Sequence, residues 1–184
     1  MSIVLGRESL ASVVEQAAAG DEAAFARIVA AYHDDMARVC FVVCGEADLA
    51  QEAAQAAWPI VWRKMATLRD PQRLRPWLVT IAANEARQLM RRRGRRAIRE
   101  IAVDPEAHGR VSSASGDPGE RAAEVDLANA LARLSPQDRT VVGMRYAVGL
   151  SSTEIGQAIG MSAGGVRARI ARLLVRLRED LRDD

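Results

Sequence analysis

The chain has 184 residues, a formal net charge of +2, an apolar share of 49% and only 4% aromatics. That leaves room for one domain or two small ones, built from many alanine-sized contacts. Nothing approaches the roughly 18 unbroken apolar residues of a membrane span, and the opening MSIVLGRESL lacks the basic start and apolar run of a secretory leader. Two cysteines make no disulfide framework, which predicts a reducing, cytoplasmic setting.

In chain order, every predicted element is a helix, and no strand-type alternation or internal repeat is visible. A first amphipathic helix spans 9–19 and stops at Gly20. Asp21 caps the next, whose Phe25, Ile28, Val29, Tyr32, Met36, Val39 and Val43 form one apolar face. Cys40 and Cys44 lie on that stripe with His33 two turns earlier. They have the ligand chemistry for zinc, but a fourth ligand is missing and a buried cysteine usually behaves as a small hydrophobe. No metal or cofactor is therefore expected. A third helix covers 48–57, and Pro59, which lacks an N–H, separates it from a fourth segment over 60–65.

A polar loop, Thr67-Leu68-Arg69-Asp70-Pro71-Gln72, precedes a long helix that Pro76 opens. This helix runs through Trp77, Leu78 and Ile81 into Arg91-Arg92-Arg93-Gly94-Arg95-Arg96. From Arg87 to Arg99 there are seven arginines and no acid, enough to neutralise several phosphates. Read alone, the run is equally a solvated basic tail or a contact for RNA or acidic lipid. Its helix also carries Trp77, Asn84 and Gln88, and aromatic, amide and guanidinium groups together suit unstacked bases.

Residues 103–120, VDPEAHGRVSSASGDPGE, gather proline, glycine, serine and acids without periodicity and read as a flexible linker. His108 falls there and has no assigned role. The charges follow this organisation: residues 1–70 sum to −4, 71–99 to +8, 100–138 to −5 and 139–184 to +3. Two basic blocks separated by an acidic one suit two nucleic-acid contacts joined by a tether. All basic residues but Lys64 are arginine, a bias that suits phosphate and base contact and that a GC-rich genome would also produce.

Beyond the linker, Ser135-Pro136-Gln137-Asp138 restarts a helix that carries Val141, Val142 and Tyr146 to about Gly149. Ser151 and Glu154 then form a capping box, Ile155 and Ile159 face one way, and Gly160-Met161-Ser162 is a tight turn with Ser162 as the next cap. On the final helix Val166, Ile170, Leu173, Leu174, Leu177 and Leu181 repeat at helical spacing as a buried stripe, and Arg167, Arg169, Arg172, Arg176 and Arg178 lie on its other face. A capped second helix with an apolar stripe and an arginine face is what a major-groove reader needs; an ordinary helical hairpin with a solvated basic face is the plainer alternative.

These motifs resemble the sigma-70 family of bacterial RNA polymerase sigma factors, in its smallest, extracytoplasmic-function group. Residues 21–64 resemble the start of region 2, and LRPWLVTIAANEARQLMRRR (74–93) its DNA-melting half. Residues 131–178 resemble region 4, with Leu134-Ser135-Pro136, Arg139, Glu154-Ile155 and Gly160-Met161-Ser162. The resemblance implies an all-α fold of two small helical domains: region 2 at 1–99, a linker at 100–121 and region 4 at 122–184. It implies that Glu52, Gln55, Trp58 and Trp62 meet core RNA polymerase. Arg69, Asp70, Trp77, Asn84, Arg87, Gln88 and Arg91 would meet the melted −10 strand of promoter DNA, and Ser162, Arg167, Arg169 and Arg172 the −35 duplex. An anti-sigma factor is the further implied partner, and membrane insertion is not expected.

Some residues depart from the family pattern. Gln51-Glu52 stands where two acids are usual, Ala56 where an acid follows, Pro59 for a helix former, Gln88 for an aspartate and Gly165 for a threonine. A stand-alone helix-turn-helix regulator would account for 131–178 but not for the 77–93 helix. An enzyme is disfavoured, since there is no glycine-rich phosphate loop, no histidine near a nucleophile and no catalytic spacing of carboxylates.

Overall fold

The computed structural model describes residues 9–101 and 118–182; residues 102–117, the middle of the predicted linker, lie outside them. Among the described residues there are eight α-helices and no strand. Ser9 caps α1 (Leu10–Ala18), its Oγ accepting from the Ser12 N–H at 3.2 Å. Asp21 caps α2 (Glu22–Cys44) by accepting from the N–H groups of Ala23 and Ala24 at 2.8 and 3.0 Å, as the sequence predicts.

The expected break at Pro59 is absent: α3 runs unbroken from Ala47 to Lys64. The ring sits on the exposed side of this helix, while Ala53, Ala54, Ala57 and Val61 are buried on the other. Packing along that face outweighs one missing hydrogen bond. Two short 3-10 turns, Met65–Thr67 and Pro71–Arg73, lead into α4 (Leu74–Ile101), so helix begins two residues before Pro76. The first three-dimensional unit is built from Ile28, Met36, Val39 and Val43 of α2, the small side chains of α3, and Leu74, Leu78, Ala82 and Ala86 of α4. Alanine seams on two helices let their axes approach closely, which accounts for a core with few aromatics.

The second unit comprises α5 (Pro118–Arg133), α6 (Pro136–Val142), a π-helical continuation over Gly143–Ala147, α7 (Ser152–Ile159) and α8 (Ala163–Asp180). Helix therefore occupies both ends of the predicted 100–121 linker, to Ile101 on one side and from Pro118 on the other. Pro118 suits a first helical position, where its missing N–H is harmless.

The two units are packed on one another. Val39, Val43, Val141, Met144, Val148 and Ile155 belong to one continuous buried cluster. Gly143 lies so near α2 that a Cβ there would sit 3.2 Å from the Val42 Cβ and 3.3 Å from the Val39 Cγ2. Nothing in the local sequence pattern announces this seam.

Candidate nucleic-acid interface

On α3, Gln51, Glu52, Gln55, Pro59 and Trp62 are exposed and fall at helical spacing, forming one outward stripe. Trp58 lies at its edge, half-buried, with its indole N–H donating to His33 Nδ1 at 3.1 Å. The other ring nitrogen of His33 lies 3.2 Å from Gln51 Oε1, so a proton on Nε2 satisfies both contacts. Phe25 meets Trp58 and Trp62 edge-on, at centroid separations of 5.8 and 4.7 Å, a favoured aromatic geometry. His33 is thus engaged by α3 rather than by the cysteines. Cys40 Sγ donates to the Ala82 carbonyl at 3.4 Å. Burial pushes its thiol well up, and pushes that of Cys44 up to about 11, which leaves both inert.

All the predicted −10 residues but Gln88 fall along the seam between the first unit and the second. Asp70 caps its turn by accepting from the Gln72 N–H at 3.0 Å. With Arg69 and Trp77 it lines a cavity of about 290 Å³ whose far wall is Glu154, Gln157 and Ala158 of α7. Asn84 and Arg87 line the next cavity, about 370 Å³, opposite Gln137, Thr140 and Arg169. Arg87 and Arg91 line a third opposite α6. Within α4, Arg87 donates to Asn84 Oδ1. Gln88 stands apart: it donates to Glu85 Oε1 at 2.9 Å and lines none of these cavities.

The helix-turn-helix has the predicted cap chemistry. Ser151 Oγ accepts from the Glu154 N–H at 3.2 Å while the Glu154 carboxylate accepts from the Ser151 N–H at 2.8 Å. The Ser151 hydroxyl first, and then its backbone N–H, hold the Glu154 carboxyl below its usual range, against the opposing effect of burial. Gly160 ends α7 in the left-handed region at φ 73°, and Ser162 Oγ accepts from the Gly165 N–H at 3.0 Å. Of the expected stripe, Val166, Ile170, Leu173 and Leu177 are buried and Leu174 partly so, but Leu181, just past the end of α8, is exposed; Arg167 and Arg172 are exposed.

Arg169 is placed differently from its neighbours. Its guanidinium binds Asp138 Oδ1 through Nε at 2.9 Å and through a terminal nitrogen at 2.8 Å, and also reaches Met161 Sδ at 3.7 Å. It ties α8 to α6 and steadies the turn. Burial would raise the Asp138 carboxyl, but the Ser135 hydroxyl and Arg169 outweigh it and hold the group below its ordinary value.

Two residues, Gly156 and Arg75, were missed by the sequence reading. Gly156 is buried in the middle of α7, and a Cβ there would lie 2.4 Å from the Met161 backbone oxygen; a glycine inside an otherwise sound helix was the available signal. Gly165, read as loosening the helix by about 1 kcal/mol relative to alanine, is also crowded, since a Cβ would meet Ser162 Oγ at 3.2 Å. Arg75 draws its significance from partners far away in the chain, Asp35 and Val148, which no local motif reveals.

Two family descriptions match the chain in order: Sigma-70 region 2 over residues 28–96 and Sigma-70, region 4 over residues 124–177. The chain is similar to the RNA polymerase sigma factor NccH of Alcaligenes xylosoxydans xylosoxydans, 30% identical over 90% of this chain and 91% of that one. It is also similar to the ECF RNA polymerase sigma factor SigW of Bacillus subtilis, 29% identical over 92% and 95%. It spans 42% of the length of another sigma-factor relative, from Xanthomonas campestris. Among solved structures, CnrH in complex with the cytosolic domain of CnrY shares the fold, with a TM-score of 0.70, 24% identity and coverage of 94% of this chain and 97% of that one.

Proposed function

The chain belongs to the sigma-70 family of RNA polymerase sigma factors, in its extracytoplasmic-function group, and on that premise we propose how its two halves divide the work of promoter recognition. It is an alternative sigma factor that binds core RNA polymerase and directs promoter-specific initiation. Residues 1–99 act as region 2 and 122–184 as region 4, with 100–121 joining them. The exposed α3 stripe of Glu52, Gln55 and Trp62, steadied by Trp58, docks on the polymerase. Arg69, Asp70, Trp77, Asn84, Arg87, Gln88 and Arg91 engage the melted −10 strand. Arg167 and Arg172 reach the −35 duplex from α8, with Ser162 at its N-terminus near a phosphate and Arg169 holding the helix in place.

The observation that carries this reading is the pairing, on one chain, of an arginine-rich α4 with a fully capped helix-turn-helix whose Arg167 and Arg172 are free of protein partners among the described residues. No helix of the described residues is long and apolar enough to cross a membrane, and we place the protein in the cytoplasm, without catalytic turnover of its own. An anti-sigma protein holds it inactive by covering the basic faces. The test is reconstitution: purified protein and core polymerase should co-elute at moderate salt and give run-off transcripts from a genomic promoter pool, while the protein alone should bind duplex DNA weakly. Failure to form the complex, or tight duplex binding without polymerase, overturns the assignment.

A further inference from the structure

The seam between α4 and α6 has an electrostatic feature that promoter binding does not explain. Two cavities adjoin there and share Arg87 and Gln137. The larger, about 500 Å³, is walled by Arg87 and Arg91 from α4 and by Gln137 and Arg139 from α6, with Met90 and Pro136 as an apolar rim. No carboxylate lines either cavity. Arg169, which lines the smaller one, is already paired with Asp138. Arg87, Arg91 and Arg139 have no carboxylate partner among the described residues.

Two of these guanidiniums are only partly satisfied. Arg87 spends a terminal nitrogen on Asn84, but the Nε atoms of both Arg87 and Arg139 are buried and meet no acceptor. A buried N–H of a charged group without a partner is strongly unfavourable, and closing like charges on one another adds repulsion. Burial, and the charge of Arg91, lower the Arg87 guanidinium from its ordinary value; burial does the same for Arg139. The Nε–H and adjacent terminal N–H of a guanidinium form the edge that forks onto two oxygens of a phosphate; the Nε–H of that edge is the unsatisfied member on both Arg87 and Arg139, while on Arg87 the terminal nitrogen is shared with Asn84.

We propose that the α4–α6 cleft is a binding site for a small multivalent oxyanion of the phosphate class, gripped by Arg87 and Arg91 on one side and Arg139 on the other, with the Gln137 amide as a further donor. Because its walls come from both units, the site exists only while they are packed together. Ligand that binds there stabilises the packed arrangement by mass action. A nucleic-acid strand running along α4 would use Arg87 and Arg91 but has no need of Arg139, and this difference sets the test.

The probe is inorganic pyrophosphate added to the full chain without polymerase or DNA, at constant ionic strength set with chloride, so the result is independent of the sigma-factor reading. Calorimetric titration should give saturable binding at one site, and the melting temperature should rise with pyrophosphate. Arg139→Gln should weaken binding at least tenfold with an unchanged circular-dichroism spectrum, and Arg139→Lys, which keeps charge but not the fork, should fall between. Arg178→Ala, an exposed arginine on α8, should bind as the native chain does. Non-saturable binding, equal losses in the Arg139→Gln and Arg178→Ala proteins, or native affinity in Arg139→Gln would overturn the site. So would a short single strand that requires Arg139 when pyrophosphate does not bind. Should Arg139→Gln fail to fold, the Arg139→Lys protein alone decides: native affinity there removes the proposal.

Discussion

Arg75 and Asp35, forty positions apart, form a charged pair that sits on the seam between the two helical units. Arg75 Nε donates to Asp35 Oδ2 at 2.6 Å, and the same guanidinium reaches across to the Val148 carbonyl at 2.7 Å. Asp35 is only 7% exposed and has a weaker second partner in Arg38 at 3.4 Å. One side chain therefore satisfies a buried acid in the first unit and an orphan carbonyl in the second.

Replacing Arg75 by alanine should loosen the seam while leaving each unit folded. A hydrogen bond to a charged group is worth about 1.5–3 kcal/mol, and because Arg75 is itself 39% exposed the lower end of that range is expected. Small-angle scattering should report a larger radius of gyration for Arg75→Ala, with little change in helix content. An unchanged radius would mean that the apolar contact of Val39 and Val42 with Gly143 holds the units together unaided.

Arg169 and Arg167 should separate when mutated. Arg167→Ala should weaken −35 recognition by ~1–3 kcal/mol if it forks onto a base, with no loss of stability. Arg169→Ala should cost about 1–3 kcal/mol of stability, because it removes the charged partner of the Asp138 carboxylate and leaves it the Ser135 hydroxyl. Asp138→Ala is the discriminating control. If Arg169 acts by positioning, Asp138→Ala reproduces its DNA-binding defect in holoenzyme footprinting; if Arg169 touches a base, Asp138→Ala leaves −35 affinity largely intact.

The same carboxylates set an acid limit on the second unit. Asp138 and Glu154 are both held below their ordinary values in the folded state, so the folded form favours their ionised state. Their contribution is fully present above the unfolded values, about 3.9 and 4.3, and is lost as pH falls through the depressed folded values. Amide hydrogen exchange should therefore show α7 and α8 losing protection from about pH 4 downward, and Asp138→Asn should flatten that dependence. Protection that is constant to pH 2 would remove the role given to these groups.

Much of this was readable in advance wherever the controlling groups are close in sequence. Ser9, Asp21, Ser135, Ser151 and Ser162 act as caps because their acceptors lie two or three residues from the N–H groups they meet, and the stripe on α8 follows from its period. Pro59 misled because the local penalty for proline is smaller than the burial available to a continuous α3. The ion pairs of Arg169 and Arg75 could not be assigned from pattern, since an exposed basic face and a set of interfacial ion pairs have the same spacing until the partner helix is in place.

Gly156 offers a sharp test of the helix-turn-helix geometry. With a Cβ placed 2.4 Å from the Met161 oxygen, Gly156→Ala must shift the turn or the helix, and overpacking of this kind costs about 1–3 kcal/mol. Exchanging a helical glycine for alanine would otherwise be worth about 1 kcal/mol in the opposite direction, so the sign alone is informative. Thermal unfolding should show a lower midpoint, accompanied by loss of −35 binding. A stabilised Gly156→Ala protein would show that the turn is free to move.

Asn84 and Trp77 allow the two proposed DNA contacts to be told apart in time. Both lie on the α4 side of the seam, Trp77 packed partly against the core and Asn84 beside Arg87. If this surface captures unpaired bases, its binding energy, about 1–3 kcal/mol per stacked base, is gained only after the strands part. Asn84→Ala and Trp77→Ala should then impair open-complex formation more than the first binding of holoenzyme to duplex promoter. A premelted bubble should relieve a defect in opening but not the loss of a direct base contact, so permanganate footprinting on closed and pre-opened templates separates the two. Trp77→Ala carries an additional cost because the indole also packs on the apolar cluster. Its stability must be measured alongside, and Trp77→Phe should restore packing before it restores base capture. Unchanged opening in both alanine variants would remove α4 from the −10 contact.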